Sequence, residues 1–265
     1  MTESVLYQKE GRIVRLTLNR PDTRNALSTD VIEALVDGLN RCNADRDVSC
    51  VIVSGAGKGF SSGGNLAEIK AMTTTDAMTE AEVEYWYTSG IQQIPLTFEK
   101  IDVVSIAAVH GHAIGAGCDL TAMCDLRIAA DTANFAESFL RVGIIPGDGG
   151  AWLLPRIIGM ARAKQMLFTA KGVNAQTALE WGLTSEVVPE AELMDAAMAM
   201  AENIANLPPQ AIRLAKKLIR ESQALPLKDS LDMAAKMQAQ LQQTEDHHEA
   251  IDSIVEKRRP QFKGK

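Results

Sequence analysis

Alternating apolar and polar positions in the first part of the chain predict paired strands. Residues 5–7 and 13–18 alternate in this way on either side of Gly11, which is typical of a β-hairpin. A helical periodicity replaces the alternation over residues 28–43. Residues 50–54 then form a continuous apolar run, as expected of a strand that is buried on both faces.

A strand, a glycine-rich segment and a helix follow one another twice. The strand at residues 50–54 leads through GAGKGFSSGGN to a helix from about residue 66. A second strand at residues 103–109 leads through HGHAIGAG to a helix over residues 116–123, and a third strand follows at 126–130. This alternation of strands with helices predicts an α/β fold.

Helical patterns dominate the rest of the chain. Residues 80–100 are predicted as one long helix around Pro95, and after about residue 150 only 185–188 has an extended pattern. Further helices are predicted from residue 161 and at 191–205, 209–222, 227–243 and 245–257. We therefore expect an α/β core over residues 1–195 and a helical C-terminal subdomain over residues 196–265.

The amino-acid composition narrows the classes of molecule that this protein is expected to bind. The 265 residues are 46% hydrophobic and 23% charged, as in an average globular enzyme, and the net charge of −7 without a basic stripe argues against nucleic acid. No apolar run reaches membrane-spanning length, and no signal or transit pattern is present. The four cysteines show neither CxxC spacing nor clustering with histidine, so we expect reduced thiols, a cytoplasmic location and no metal site.

The two glycine-rich segments are the first candidates for chemistry. Each follows a strand and leads into a helix, so each offers unpaired N–H groups and the positive end of a helix dipole. A single turn of this kind is more often structural, because glycine supplies positive φ angles and close packing. Two of them indicate a site for a developing negative oxygen.

The two segments differ from three better-known glycine motifs. GAGKG lacks the Walker spacing and the Ser or Thr after Lys58, and HGHAIGAG does not match GxGxxG, so nucleotide binding of either type is not predicted. Residues 59–63 match GxSxG, but five residues separate the strand from the serine, whereas a nucleophile elbow turns directly off its strand. A serine hydrolase that uses His247 or His248 with Asp148 stays open as an alternative.

The segments GKGFSSGGNLAEI and AAVHGHAIGAGCDL resemble the two oxyanion loops of the enoyl-CoA hydratase/isomerase (crotonase) superfamily. The resemblance extends in order to LNRPDTRNALS, FAESFLRVGIIPGDGGAWLLPR and VEKRRPQFKGK, and so covers nearly the whole chain. It implies a crotonase-like ββα spiral core with a helical C-terminal region, assembled as a homotrimer or a dimer of trimers. It also implies an acyl-CoA substrate, with coenzyme A as part of that substrate and no separate cofactor.

Matched position by position, the resemblance places the two N–H groups of an oxyanion hole at Gly64 and Ala116. Polarising a thioester carbonyl acidifies its α-carbon and makes its β-carbon electrophilic, so one hole serves hydration, isomerisation and C–C cleavage. The resemblance further implies contacts with the acyl group or with coenzyme A at Arg24, Ala26, Ser62, Gly63, Gly115, Phe139 and Lys263.

The catalytic acids depart from the pattern of the hydratases, in which two glutamates add or remove water. The first glutamate position holds Asp119, which is one methylene shorter, and the second holds Phe139, which cannot transfer a proton. Asp148 lies nearby in a Pro-Gly-Asp-Gly sequence, either as a turn residue or as a catalytic acid. Glu137 would share the side of Phe139 if the segment were extended.

Three functions are consistent with these residues. The first is an acyl-CoA lyase or isomerase, with an oxyanion hole at Gly64 and Ala116 and proton transfer by Asp119 or Asp148. The second is a CoA-independent hydrolase of C–C bonds that resembles 6-oxocamphor hydrolase, a family member with an aspartate in the same Pro-Gly-Asp-Gly sequence. The third is an acyl-CoA-binding homologue that lost its chemistry through Phe139.

Overall fold

The computed structural model describes residues 3–74 and 77–265. The strands within these residues are β1 Val5–Glu10, β2 Ile13–Leu18, β3 Cys50–Gly55, β4 Val104–Val109, β5 His112–Ile114, β6 Leu126–Ala130, β7 Asn134–Ala136, β8 Val173–Asn174 and β9 Glu186–Val188. The α-helices are α1 Thr29–Ala44, α2 Leu66–Thr74, α3 Glu80–Ser89, α4 Gln93–Lys100, α5 Ala116–Met123, α6 Gly150–Ile158, α7 Met160–Thr169, α8 Ala175–Trp181, α9 Leu193–Ala205, α10 Pro209–Ser222, α11 Leu227–Leu241 and α12 Glu245–Val255.

Six strands form the main sheet, in the order β1-β2-β3-β4-β6-β9. β1 and β2 are the predicted antiparallel hairpin, and every later pair in this sheet is parallel. The predicted strands at residues 50–54, 103–109 and 126–130 all lie in the sheet within a residue of the expected bounds. The α/β class is therefore confirmed.

A second, three-stranded sheet consists of β5, β7 and β8. β4 of the main sheet is followed by β5 and then α5, and β6 of the main sheet is followed by β7 and then α6. In both places the chain passes from the main sheet to the small sheet and then into a helix, so a ββα unit repeats along the chain. The prediction of HGHAIGAG as a turn alone was wrong in part, since residues 112–114 are a strand. Two or three residues are too few to show periodicity, which is why β5, β7 and β8 were missed.

The central strands of the main sheet are buried on both faces, and their alternate residues face different layers. Val51 and Val53 point into the larger core with α1, whereas Ile52 points into a smaller core on the other face. Ala197 and Ala201 of α9 cover that second face. Small residues on α9 let its backbone approach the sheet, and the large side chains of the central strands fill the layer.

The segment at residues 80–100 is two helices rather than the predicted one. α3 ends at Ser89 because Gly90 leaves the helical region, with φ −105° and ψ −107°. Pro95 lies in the first turn of α4, where a missing N–H is tolerated. The break therefore comes from the glycine, and Pro95 helps to start the second helix.

Four helices, α9 to α12, complete the chain as predicted, each within a few residues of its expected bounds. α9 contacts β3, β4 and β6 and so belongs in part to the sheet. The division of the chain at residues 195 and 196 stays a prediction. Among the helices of the described residues, none is both long and apolar enough to cross a bilayer.

Candidate active site

Asn25 organises the first glycine-rich segment. Its side chain is fully buried, and its Nδ2 donates to the carbonyl oxygens of Ala56 (2.8 Å) and Gly59 (3.0 Å). Its own carbonyl accepts the Ser61 hydroxyl at 2.7 Å. Asn25 adopts a left-handed backbone (φ 53°), which asparagine tolerates better than most residues. The sequence interpretation missed this role, although a polar residue beside Gly-rich loops was a visible signal.

Backbone pairing brings the two glycine-rich segments together. Ser61 donates its N–H to His112 and accepts the N–H of Ile114, both at 3.0 Å, so the first segment extends the small sheet beside β5. Gly63 has φ +88°, and a Cβ there would overlap the Ile114 carbonyl oxygen and lie 3.3 Å from the Ala116 nitrogen. Only glycine permits this approach, which places Gly64 and Ala116 at adjoining ends of the two segments.

Within the described residues, the N–H groups of Gly64 and Ala116 have no intramolecular acceptor. Ala116 is the first residue of α5, so its N–H has no acceptor in the preceding turn. Gly64 lies beside Leu27 in an isolated bridge in which Leu27 donates to the Gly63 carbonyl at 2.8 Å. Across residues 3–74 and 77–265, neither N–H donates a hydrogen bond. Both are thus available to an external oxygen.

Three carboxyl groups from three different elements meet behind α5. Asp119 lies in the first turn of α5, Glu137 directly follows β7, and Asp148 precedes α6; all three are at most 2% exposed. The Gly150 N–H donates to Asp119 Oδ2 at 3.1 Å. A Cβ on Gly150 would overlap Asp119 Oδ1, so the start of α6 must be glycine for the aspartate to fit.

The remaining oxygens of this cluster have no donor outside it except the Cys118 thiol. Asp119 Oδ1 and both oxygens of Glu137 and of Asp148 are buried without any other hydrogen-bond partner, and none of the three groups forms an ion pair within the part of the chain that the structure describes. Their polar neighbours are one another and the Cys118 thiol. A hydrogen bond between two carboxyl groups forms only when one of them carries a proton.

Burial and mutual repulsion keep protons on this cluster at neutral pH. Burial, followed by the charges of Asp148 and Glu137, raises the pKa of Asp119 well above its usual range. Burial raises the pKa of Glu137 to about 7, although hydrogen bonds with Cys118 and Asp119 oppose the rise. Burial also raises the pKa of Asp148, and a hydrogen bond from Asp119 offsets part of that effect. Asp119 is therefore the group that keeps its proton, and the cluster can hold a neutral acid beside a carboxylate.

Phe139 lies against the start of α5 rather than within the cluster. Its side chain is 8% exposed, and a Cβ on Gly115 would lie 3.7 Å from its ring. Phe139 begins a short 3-10 turn over residues 139–142, so the segment is not extended there. Glu137 and Phe139 were expected to share one side only if this segment were extended, and that condition is not met.

The residues predicted to contact coenzyme A fall into two groups. Arg24 is exposed, and its carbonyl accepts the Ser62 N–H at 2.9 Å, so it lies with Ala26, Ser62 and Gly63 beside the first glycine-rich segment. Lys263 lies in the C-terminal tail, where its N–H donates to the buried Asp246 at 2.6 Å and its Nζ is 3.8 Å from Glu245. No contact in the described ranges joins Lys263 to Arg24.

The serine-hydrolase alternative is not supported. Ser61 is fully buried, its hydroxyl donates to Asn25 and it accepts the N–H of Gly63 at 3.1 Å. His247 and His248 lie together on α12, and no contact joins either to Ser61 in the described part of the chain. The described residues also contain no group of three His, Cys, Asp or Glu side chains placed to hold a metal ion.

Comparison with known proteins agrees with this geometry. The family model described as enoyl-CoA hydratase/isomerase matches residues 8–265. The short-chain-enoyl-CoA hydratase of Clostridium acetobutylicum is 34% identical over 259 residues, covering 97% of this chain and 96% of that protein. The chain belongs to the enoyl-CoA hydratase/isomerase family.

Other relatives of this crotonase-superfamily chain differ in their reactions. The 1,2-epoxyphenylacetyl-CoA isomerase of Escherichia coli is 33% identical over 266 residues and all of both chains. The crystal structure of an enoyl-CoA hydratase from Bacillus anthracis superposes with a TM-score of 0.89 at 34% identity, covering 99% of this chain and 100% of that one. The chain is thus an enzyme of a family that acts on acyl-CoA thioesters, and the family includes both hydratases and isomerases.

Proposed function

We propose that this family member moves a proton within an enoyl-CoA thioester and so shifts its double bond, with little hydration activity. The observation that carries the proposal is the contact between buried Asp119 and Asp148 behind the first turn of α5, together with an apolar Phe139 at the second acid position. Double-bond migration needs groups that move a proton between two carbons, whereas hydration needs a group placed to activate water.

The proposed oxyanion hole supplies the first half of the chemistry. The N–H groups of Gly64 and Ala116 would bind the thioester oxygen and stabilise the negative charge that grows on it as a proton leaves the α-carbon. Removing one donor from such a hole costs about 3 kcal/mol of transition-state stabilisation. Support for this assignment comes from the absence of any intramolecular acceptor for either N–H among the described residues.

The carboxyl cluster would supply the second half. The Asp148 carboxylate removes a proton from the α-carbon of a 3-enoyl thioester, and the electron pair forms the enolate. Neutral Asp119 then protonates the γ-carbon, which leaves the double bond between the α- and β-carbons. Asp148 returns its new proton to Asp119 through their hydrogen bond, so the cluster ends in its starting state with no net gain or loss of protons.

A comparison of two substrates tests the proposal. With 3-hexenoyl-CoA we expect the absorbance of the conjugated 2-enoyl thioester to appear, at a rate at least about 100-fold above that of crotonyl-CoA hydration, the size of a lost acid–base contribution. Hydration that is faster than isomerisation would contradict it. Turnover of neither, with saturable binding of both, would instead favour the non-catalytic acyl-CoA-binding homologue.

A CoA-independent hydrolase of C–C bonds is the second candidate, and the burial of Asp148 in the cluster is the observation that favours it. Calorimetric titration with acetyl-CoA separates the two. The proposed isomerase binds the thioester saturably, because the hole and the Arg24 segment recognise it. The hydrolase shows no heat of binding with acetyl-CoA and turns over a cyclic β-diketone.

A further inference from the structure

Glu137 is the member of the cluster to which neither the family pattern nor the proposed reaction assigns a role. It is fully buried, and among the described residues its oxygens have no hydrogen-bond donor outside the cluster and the Cys118 thiol. An isolated buried carboxylate is costly, so a glutamate that served only packing would be replaced at lower cost by an apolar residue. Its position beside Asp119 suggests a function in proton transfer.

The groups that face Glu137 are all acids. Cys118 and Asp119 approach it from α5, and Asp148 approaches from the segment before α6. Tyr87 of α3 lies near Asp148, whose charge, after burial, raises the tyrosine pKa. No Lys, Arg or His forms an ion pair with Glu137 in the ranges the structure describes, so each negative charge added to the cluster is opposed only by hydrogen bonds.

We propose that Glu137 is a positioning residue that sets the upper pH limit of proton transfer by Asp119 and Asp148, an inference that rests on the proposed function. While Glu137 is neutral, the Asp119 proton is shared with a single carboxylate, Asp148, and can leave for the substrate. Once Glu137 ionises, Asp119 lies between two carboxylates, and its proton is held more tightly. The pKa of Glu137, raised to about 7, places this change near neutral pH.

Replacing Glu137 with an isosteric amide tests the role kinetically. In unmodified enzyme, kcat should fall as pH rises beyond about 7. In Glu137→Gln the fall should move to higher pH, so that the ratio of kcat at about pH 9 to kcat at about pH 6 rises at least about tenfold. KM should change less than about twofold, because the proposed role acts through Asp119 and not through contact with the substrate.

Two further variants control for charge and for structure. Glu202→Gln, on the exposed face of α9, removes one negative charge far from the cluster and should leave the pH profile unchanged. Glu137→Asp keeps an ionisable group and should restore the fall above neutral pH. An unshifted profile in Glu137→Gln, or an equal loss of kcat at every pH, would overturn the role of Glu137.

A titration of the unmodified chain complements the kinetics of the variants. With ¹³C-labelled glutamate carboxyls, one resonance should titrate near the pKa of about 7 and be missing in Glu137→Gln. If every glutamate titrates in its ordinary range, the role of Glu137 is overturned while isomerisation can stand. If no enoyl thioester is turned over, the proposed function itself fails, and the limit on its rate fails with it.

Discussion

Asp119 is the residue on which the proposed chemistry depends most directly. The Gly150 N–H fixes one oxygen, and the other has only carboxyl neighbours, so the acid is oriented by packing and by a shared proton. Asp119→Asn preserves the shape and the contact with Gly150 but has no acidic proton. We expect kcat for isomerisation to fall by about 10²–10⁴, as for loss of a general acid.

Exposed Asp195 on α9 provides a matched control for that change. Asp195→Asn should keep full activity, and Asp119→Asn should still bind acetyl-CoA in calorimetry. Equal activity of the two variants would show that Asp119 takes no part in proton transfer.

Phe139 offers a test of gained activity. If the scaffold is otherwise that of a hydratase, Phe139→Glu should raise crotonyl-CoA hydration at least about tenfold, because the new carboxylate can activate water. Phe139→Leu, which keeps an apolar side chain, should give no gain. A folded Phe139→Glu variant that binds acetyl-CoA without faster hydration would show that Phe139 is not the main block.

At the scale of elements, α10 is fastened to the end of α1 by one buried side chain. Arg213 donates to the carbonyl oxygens of Asn43 (3.0 Å), Asp45 (2.9 Å) and Val48 (2.8 Å), and it is 6% exposed. Those carbonyls follow or end α1, where no intrahelical donor remains. The same guanidinium thus satisfies the helix end and anchors α10.

We expect Arg213→Met to lower the free energy of unfolding by about 3 kcal/mol, because several buried or partly buried carbonyls lose their donors at once. Lys217→Met on the same helix is the control, since the Lys217 side chain makes no hydrogen bond or ion pair among the described residues. Urea unfolding followed by circular dichroism measures both. A loss for Arg213→Met no greater than that of the control would contradict the anchoring role.

At the scale of the whole molecule, the cluster should make stability depend on pH. The folded-state pKa of Glu137 is about 7 against an ordinary value of 4.5, so the folded state binds more protons than the unfolded state between these values. Its stabilising contribution is complete below about pH 4.5 and is lost as pH rises through 7. At about 1.4 kcal/mol per unit, the loss is on the order of 3 kcal/mol.

Urea midpoints at about pH 5.5 and about pH 8 test this dependence, and Glu137→Gln should flatten it. The surface pair of Glu249 and Arg258 works in the opposite direction, because it lowers the pKa of Glu249 to about 2 and is lost only in acid. The effect of this pair on stability therefore falls below the pH range that the two urea midpoints cover. Stability that rises from pH 5.5 to 8 in the unmodified chain would contradict the protonated cluster.

The predicted homotrimer or dimer of trimers also belongs to this scale. α11 and α12 expose large apolar side chains, of which the most exposed are Leu227, Leu231, Ile254 and Val255. Apolar patches of this kind mark interfaces between subunits. Sedimentation equilibrium should give three or six times the chain mass, Leu231→Glu should reduce it, and Leu231→Met should not; a monomer at micromolar concentration would refute the assembly.

The sequence by itself determined the features that depend on neighbouring residues. Apolar runs placed β3, β4 and β6, and the glycine-rich segments before two helix starts predicted free backbone N–H groups, because both features depend on local patterns. The assignment of those N–H groups to Gly64 and Ala116 came from the family resemblance. Short strands such as β5 have no period to detect, and the break at Gly90 depended on a backbone conformation that the residue permits without requiring.

Only the tertiary structure decided which acids meet. Asp119, Glu137 and Asp148 come from three elements, and nothing in their spacing states that they converge or that Gly150 leaves room for Asp119. Their raised pKa values arise from burial and, for Asp119 and Glu137, also from the charges of neighbouring acids, and both causes depend on the packing of α5, β7 and α6. Local patterns specify elements, whereas desolvation and long-range charge interactions exist only after those elements have packed together.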